Sequence, residues 1–435
     1  MAGLITFHVS HIDLFRGRVD ESPLDDLGES MSLTNLFATR TEGMKASEIR
    51  ELLKLLDQPE IISFAGGIPD PALFPREAFA RAMARAVSAE AAGTTLQYAQ
   101  SEGYLPLRRW IVGYMATLGI TCTPENVLIT AGSQQALDYL GKLFIDPDDT
   151  ALVGWPTYLG ALGAFNAYQP RYDRLDPAAN RGPAEIAADA EAAGGRVKFA
   201  YLSADFANPT GVTLDLAERE AVLDMAETLD IAVIEDAAYQ ALRYSGTAYP
   251  PLLAIEMGRK GDLEACRTIY CGSFSKTLAP GLRVGWVVAA KPVIGQMVLM
   301  KQAADLQTAT LNQVVTAEVA EELFDEHVAM LRKVYGARLQ AMLASLERHM
   351  PKGVSWTRPE GGMFVWMHLP EGEDGARLLE RALATEKVAF VPGNAFFADG
   401  SNRNTLRLNF SMSDEAAIDA GIQRLARVMD AAGIR

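Results

Sequence analysis

Five short apolar runs in this chain each end in side chains that could act on a common ligand. Val127-Leu128-Ile129 leads to Thr130-Ala131-Gly132-Ser133-Gln134, and Ala151-Leu152-Val153 leads to Gly154-Trp155-Pro156-Thr157-Tyr158. Phe199-Ala200-Tyr201-Leu202 precedes Asn208-Pro209-Thr210-Gly211, and Ile231-Ala232-Val233-Ile234 precedes Glu235-Asp236-Ala237-Ala238-Tyr239. Thr268-Ile269-Tyr270-Cys271 ends in Gly272-Ser273-Phe274-Ser275-Lys276, with Arg283 further on after Pro280-Gly281. The set supplies an anion-binding helix start, an aromatic ring, an amide, a carboxylate and an amine.

Each group has an ordinary structural use. Ser133 could be a plain helix cap. Asp236 could order a loop, and Lys276 could be a solvated lysine. Arg283 could pair with surface carboxylates, and Tyr158 and Tyr239 could be half-buried core aromatics. These separate explanations weaken when all the groups are required at the ends of successive strands of one sheet. In a doubly wound sheet, ligands bind outside the carboxyl ends of the strands.

The elements that must position them follow from hydrophobic periodicity. Short apolar strands alternate with helices over Ser133–Phe144 and Leu216–Leu229, which predicts a mostly parallel sheet covered by helices on both faces. A further strand is predicted over Val284–Ala290. Beyond about residue 320 the texture changes. A long helical stretch through Leu331, Leu339, Met342 and Leu346 breaks at Pro351-Lys352-Gly353. Strands over Met363–Met367, Val388–Val391 and Thr405–Phe410, a helix near Ala376–Ala384 and a terminal helix from Asp414 predict a smaller α+β unit. A helix near Ser47–Leu56 and a strand over Ile61–Phe64 come before the main sheet. Strand alternation puts Leu406, Leu408 and Phe410 on one face and Arg407 and Asn409 on the other.

The chemistry that needs this set is that of a phosphate-bearing, planar, cationic aromatic cofactor held as a Schiff base. The phosphate needs N–H donors at the helix start and Arg283. The ring needs an aromatic face, Tyr158. Its nitrogen needs a carboxylate, Asp236, to keep a proton. The 3-oxygen needs donors, Asn208 and Tyr239, and the aldehyde carbon needs Lys276. That cofactor is pyridoxal 5′-phosphate.

At these residues the chain resembles the fold-type I pyridoxal-phosphate aminotransferases over roughly residues 45–430. The run from Ser273 to Trp286 looks like the family's cofactor-lysine motif. Ala46-Ser47-Glu48-Ile49-Arg50-Glu51-Leu52, followed by Ser63-Phe64-Ala65-Gly66-Gly67-Ile68-Pro69, looks like the 2-aminoadipate/kynurenine aminotransferase branch. Pro359–Trp366 and Leu406–Ser411 agree with that branch. The resemblance implies four regions: a flexible arm over 1–30, an N-terminal segment over 31–75 joining the small domain and the active-site rim, a large cofactor domain over 76–320, and a small C-terminal domain over 321–435. It implies that Lys276 joins the cofactor, that Gly132, Ser133, Gln134, Ser273 and Arg283 hold the phosphate, and that Arg407 grips the substrate α-carboxylate. Gly67 would line the substrate position. Tyr98 matches a tyrosine that reaches the neighbouring subunit's phosphate, so a homodimer with shared sites is implied. Arg50 either meets a distal carboxylate of acidic substrates or forms a surface pair. Two departures stand out: Ser203-Ala204-Asp205-Phe206-Ala207, where the family often has proline and then glutamine, and Ala237, where an acidic residue is common.

The expected activity is amino transfer from an L-amino acid to a 2-oxo acid in a ping-pong cycle, with 2-aminoadipate, glutamate, aromatic or branched-chain donors. The same lysine and aspartate also serve β-lyases and decarboxylases. A regulatory sensor module is a third reading, since this fold occurs behind DNA-binding helices. Against the sensor stands the charge. The 435 residues carry 40 Lys and Arg against 55 Asp and Glu, a net charge of −15 that disfavours nucleic acid. Apolar residues at 49% and charged residues at 22% are ordinary for a soluble enzyme. Three scattered cysteines predict a reducing, cytoplasmic setting. No metal is expected, because the five histidines form no ligand pattern. No apolar run reaches the ~18 residues that span a bilayer, and the N-terminus lacks the basic start of a secretory signal.

Overall fold

The computed structural model describes residues 33–44, 58 and 60–434. Arg50, the helix expected near Ser47–Leu56 and the arm over residues 1–30 lie outside the described residues.

The central sheet has seven strands: β2 (Val127–Thr130), β3 (Thr150–Gly154), β4 (Arg171–Leu175), β5 (Val197–Leu202), β6 (Ala232–Asp236), β7 (Thr268–Ser273) and β8 (Gly285–Val288), while β1 (Ile62–Ser63) lies elsewhere. Their order is β2-β8-β7-β6-β5-β3-β4. Only β8 runs against its neighbours. Alternate residues on these strands enter different cores. Val127 and Ile129 pack with the helix Leu105–Thr117 and the first half of Thr310–His349, whereas Leu128 packs with the helices Ser133–Phe144 and Lys291–Ala304. Burial on both faces explains why the strands read as continuous apolar runs.

The helix Leu216–Leu229 begins in a capping box: Asp215 accepts from the Glu218 amide, and Glu218 accepts from the Asp215 amide. The helix Ser133–Phe144 has the predicted bounds, but its cap is Gly132 at φ +80°, so Ser133 is the first helical residue rather than the cap. β4 was missed. Its sequence, Arg171-Tyr172-Asp173-Arg174-Leu175, is polar because it forms a sheet edge, where charge discourages pairing with another chain. The last strand is shorter than the predicted Val284–Ala290.

A second sheet, β12-β13-β10-β9, is antiparallel, with β9 at Ser355–Trp356, β10 at Phe364–His368, β12 at Val391–Pro392 and β13 at Thr405–Asn409. It packs on the helix Glu415–Ala431, capped by Asp414, and on the later turns of Thr310–His349. That 40-residue helix contains the boundary expected at residue 320. The strand predicted over Val388–Val391 is divided. β11 (Val388–Ala389) pairs with β1, while β12 pairs with β13, so the chain changes sheets at Phe390. The helix near residue 376 is Gly375–Arg381, followed by a wider turn over Ala382–Glu386.

Candidate active site

The carboxyl ends of β2, β3, β5, β6 and β7 open on one cleft, and β13 closes it from the second sheet. Lys276 follows β7 directly. Its Nζ donates to the Gly67 carbonyl at 2.9 Å and lies 5.7 Å from the centre of the Tyr239 ring. Burial, helped by the positive charges of Arg407 and Arg283, pulls this amine down to about 8, against the opposing effect of Asp236. A lysine with that value supplies neutral amine near physiological pH, which an ordinary lysine does not.

Asp236 ends β6 and is 5% exposed. Burial raises its pKa, partly offset by the hydrogen bond from Tyr201, the Ala238 backbone amide and the charge of Lys276. Tyr201 donates to Oδ2 at 2.8 Å. Oδ1 is buried without a hydrogen-bond partner among the described residues. An unmet carboxylate oxygen at a strand end is costly unless a ligand donor meets it. Tyr239 is buried beyond it, and its hydroxyl is pushed up by burial and by Tyr158, with Arg407 and Asn208 opposing.

Arg283 and the helix start at Ser133 form a second feature. Arg283 has a left-handed backbone (φ +54°), and its guanidinium reaches the Ala131 carbonyl at 3.3 Å and the Ser275 hydroxyl at 3.4 Å. A Cβ on Gly132 would fall 2.2 Å from Arg283 Nη2, so glycine is what lets the guanidinium lie against the helix start. Free helix N–H groups and a guanidinium side by side suit a phosphate. Ser273 is buried nearby, its hydroxyl accepting from the Ser275 amide at 3.1 Å. Gln134 is exposed and donates to the Gly160 carbonyl at 2.7 Å. Tyr158 caps the helix Leu159–Phe165 at the cleft and is partly exposed.

Arg407 is 2% exposed although it carries a charge. It lies on β13 between Leu406 and Leu408, which face the core as the alternation requires. Its Nη1 donates to Asn208 Oδ1 at 2.8 Å and its Nη2 to the Ala65 carbonyl at 2.9 Å. The guanidinium carbon lies 4.2 Å from the Phe364 ring centre and 5.0 Å from that of Phe396. These rings hold the group flat. Its Nε has no partner among the described residues, and burial lowers its pKa to about 10.

The structure thus gathers Gly67, Gly132, Ser133, Tyr158, Asn208, Asp236, Tyr239, Ser273, Lys276, Arg283 and Arg407 around one cleft, with Gln134 on its rim. Tyr98 stands apart and is 78% exposed. Sequence reasoning missed Tyr201, Phe364 and Phe396. Tyr201 stood out only as a phenol on an apolar strand, and its partner depends on strand register. The two phenylalanines carried no signal, because a ring stacked on an arginine reads as ordinary core. No group of metal-ligating side chains occurs among the described residues.

A helix-covered, mostly parallel sheet with a lysine, a carboxylate and an anion cradle at its strand ends defines a fold-type I transferase. The aminotransferase class I and II family matches residues 60–425, and the chain belongs to it. It is 44% identical over 401 residues to a 2-aminoadipate transaminase of Thermus thermophilus, covering 92% of this chain and 98% of that one. It is 42% identical to aromatic-amino-acid aminotransferase 1 of Thermococcus litoralis, covering 90% and 94%. A crystal structure of the α-aminoadipate aminotransferase of Thermus thermophilus, complexed with N-(5′-phosphopyridoxyl)-L-leucine, superposes with a TM-score of 0.82 at 42% identity, covering 92% and 99%. The chain is a pyridoxal-phosphate-dependent amino acid aminotransferase.

Proposed function

We propose that this aminotransferase takes its amino group from an L-amino acid of the 2-aminoadipate, glutamate, aromatic or branched-chain type and passes it to a 2-oxo acid in a ping-pong cycle. The observation that carries this reading is the placement of Arg407. A buried guanidinium, held flat and with an unmet Nε, faces the same cleft as Lys276. Such a group suits an incoming α-carboxylate, which it can grip through parallel bonds.

Two features fit the residues to the cofactor: the orphaned Asp236 Oδ1 and the glycine cradle beneath Arg283. When bound, pyridoxal phosphate supplies an electron sink that acidifies the substrate Cα–H. Arg283, Ser273 and the amides at Ser133 and Gln134 would hold its phosphate. Asp236 would keep its ring nitrogen protonated, Asn208 and Tyr239 would face its 3-oxygen, and Tyr158 would cover its face. Lys276 would be its attachment point. Arg407 would hold the substrate α-carboxylate and so fix the direction of the Cα–H bond. Lys276, whose amine burial pulls down to about 8, would take up the Cα proton and hold it at Nζ. A positioned base of this kind contributes ~10²–10⁴-fold. Phe364 and Phe396 exclude water from the guanidinium.

Tyr98 extends this reading to a homodimer, in which its exposed side chain would complete the partner's phosphate site. The domain division expected at residue 320 stays with the same reading, the helix Thr310–His349 being common to both units. The expected lack of a nucleic-acid partner agrees with the net charge of −15, and a cytoplasmic setting rests on the three scattered cysteines. Among the described residues no helix is long and apolar enough to cross a membrane. The test is a paired assay on a panel of amino acids. Amino transfer that requires a 2-oxo acid supports the proposal; ammonia or pyruvate release from one amino acid alone overturns it.

A further inference from the structure

Tyr201 takes no part in the family resemblance or in the proposed chemistry above, yet it is the described side chain that donates a hydrogen bond to Asp236. β5 and β6 pair in parallel with Tyr201 opposite Ile234. Asp236 lies two residues beyond Ile234, on the same face of the sheet. The diagonal gap, one strand over and two residues along, is one that a tyrosine spans and that serine or threonine does not. The hydroxyl arrives 2.8 Å from Oδ2. The ring is 1% exposed and is held edge-on to Phe165, with centroids 5.6 Å apart at 77°. The phenol therefore has no path to water. Its remaining polar neighbours are Ser203 and Tyr158, and around Asp236 stand the Ala238 backbone amide, Lys276, Tyr239 and Cys271.

We infer that Tyr201 is the positioning residue of the cofactor-binding carboxylate: it occupies Asp236 Oδ2, fixes the rotamer, and leaves Oδ1 as the acceptor for the N–H of a pyridinium ring. Two independent features support this. One is the short bond to Oδ2. The other is that the opposite oxygen, equally buried, meets no donor among the described residues. A phenol O–H bonds more strongly to an ionised carboxylate than to the carbonyl oxygen of the neutral acid. The bond thus favours the charged form in a place where burial alone favours the neutral acid. An ionised Oδ1 is what a protonated ring nitrogen requires, and that proton maintains the electron-withdrawing power of the ring. The inference rests on the pyridoxal-phosphate reading of the site and adds a residue that acts through Asp236 rather than on the ligand.

Tyr201→Phe keeps the ring and its packing and removes only the donor. The affinity of the apoprotein for pyridoxal phosphate should fall about tenfold, the scale of one hydrogen bond to a charged acceptor. In an Asp236→Asn background the same change should alter affinity less than twofold, because the charged acceptor is gone. In the holoenzyme, kcat should fall about tenfold while the KM for the amino donor stays within twofold, since Arg407 is untouched. A Tyr201→Phe protein with wild-type affinity and kcat overturns the inference. So does an equal loss of affinity in both backgrounds, which is what a packing role would give. Should Asp236→Asn bind too weakly to titrate, the kinetic split decides: loss confined to kcat supports the inference, and parallel changes in kcat and KM overturn it. A wild-type protein that binds no pyridoxal phosphate would instead overturn the assignment of the site.

Discussion

Arg407 on β13 donates to the side chain of Asn208 at 2.8 Å, linking the second sheet to the loop that follows β5 of the first. Residues 199 positions apart therefore share one polar contact inside the cleft. In the proposed cycle Asn208 faces the cofactor 3-oxygen and Arg407 faces the substrate carboxylate. Their bond makes the two binding tasks dependent on each other, because moving either side chain leaves the other with an unmet buried group. The Ala65 carbonyl on the far side of the guanidinium and the two phenylalanine rings restrict its remaining freedom.

Replacing Arg407 by Lys keeps the charge and loses the planar fork. Only one of the bonds to Asn208 and Ala65 can then be made, and the contact with Phe364 is lost. Truncating a buried, hydrogen-bonded charge costs about 2–5 kcal/mol, so kcat/KM for the amino donor should fall by about 10²-fold or more. Binding of the cofactor should weaken too, but by less, through the loosened hold on Asn208. Steady-state kinetics together with a cofactor titration check both halves. Unchanged kcat/KM would remove Arg407 from the substrate site.

Lys276 gives a pH prediction. Its amine is pulled from the usual 10.5 to about 8 in the folded protein. Below pH 8 it is protonated both folded and unfolded, and the folded state carries the full cost of burying the charge. Between about 8 and 10.5 the unfolded chain binds more protons, so stability rises with pH as that cost disappears. Lys276→Met in the apoprotein removes the cost at every pH. The gain in melting temperature over wild type should be largest below pH 8 and should shrink toward pH 10.5. A gain that is flat across this range would contradict the shift.

Gly132→Ala tests the anion cradle. The added methyl would meet the Arg283 guanidinium, and the backbone would be strained at φ +80°. Arg283 must then withdraw from the helix start. Phosphate-dependent cofactor affinity should fall at least about tenfold, while affinity for dephosphorylated pyridoxal should change little. Equal losses for the two ligands would place the fault in folding instead.

Tyr98 tests the dimer. Sedimentation should report twice the chain mass of 47.1 kDa. Tyr98→Phe should weaken the cofactor phosphate site without changing the mass. A protein that sediments as a monomer and is fully active would contradict the shared site.

Much of this was legible in the sequence because strand ends in a parallel sheet are set by simple rules. Apolar runs such as Thr268–Cys271 located the strands, and the first polar residues after them located the cleft. The role expected of Arg407 came from the family resemblance, and alternation agreed with its direction, since its neighbours Leu406 and Leu408 had to face the core. Three kinds of feature escaped. β4 was hidden because an edge strand with one exposed face carries arginine and aspartate. The split at Phe390 was hidden because a change of sheet leaves the apolar run unbroken. Tyr201 was hidden because its role depends on inter-strand register, which fixes what lies diagonal to it and which a single sequence does not display.

The most direct test is reduction of the purified, cofactor-loaded protein with borohydride, followed by peptide mapping. A pyridoxyl mass is expected on the peptide holding Lys276 and on no other, together with loss of the visible absorbance band. Lys276→Ala should neither show the band nor take the label. A label on a different lysine, or a Lys276→Ala protein that keeps both its colour and its turnover, would contradict Lys276 as the attachment point.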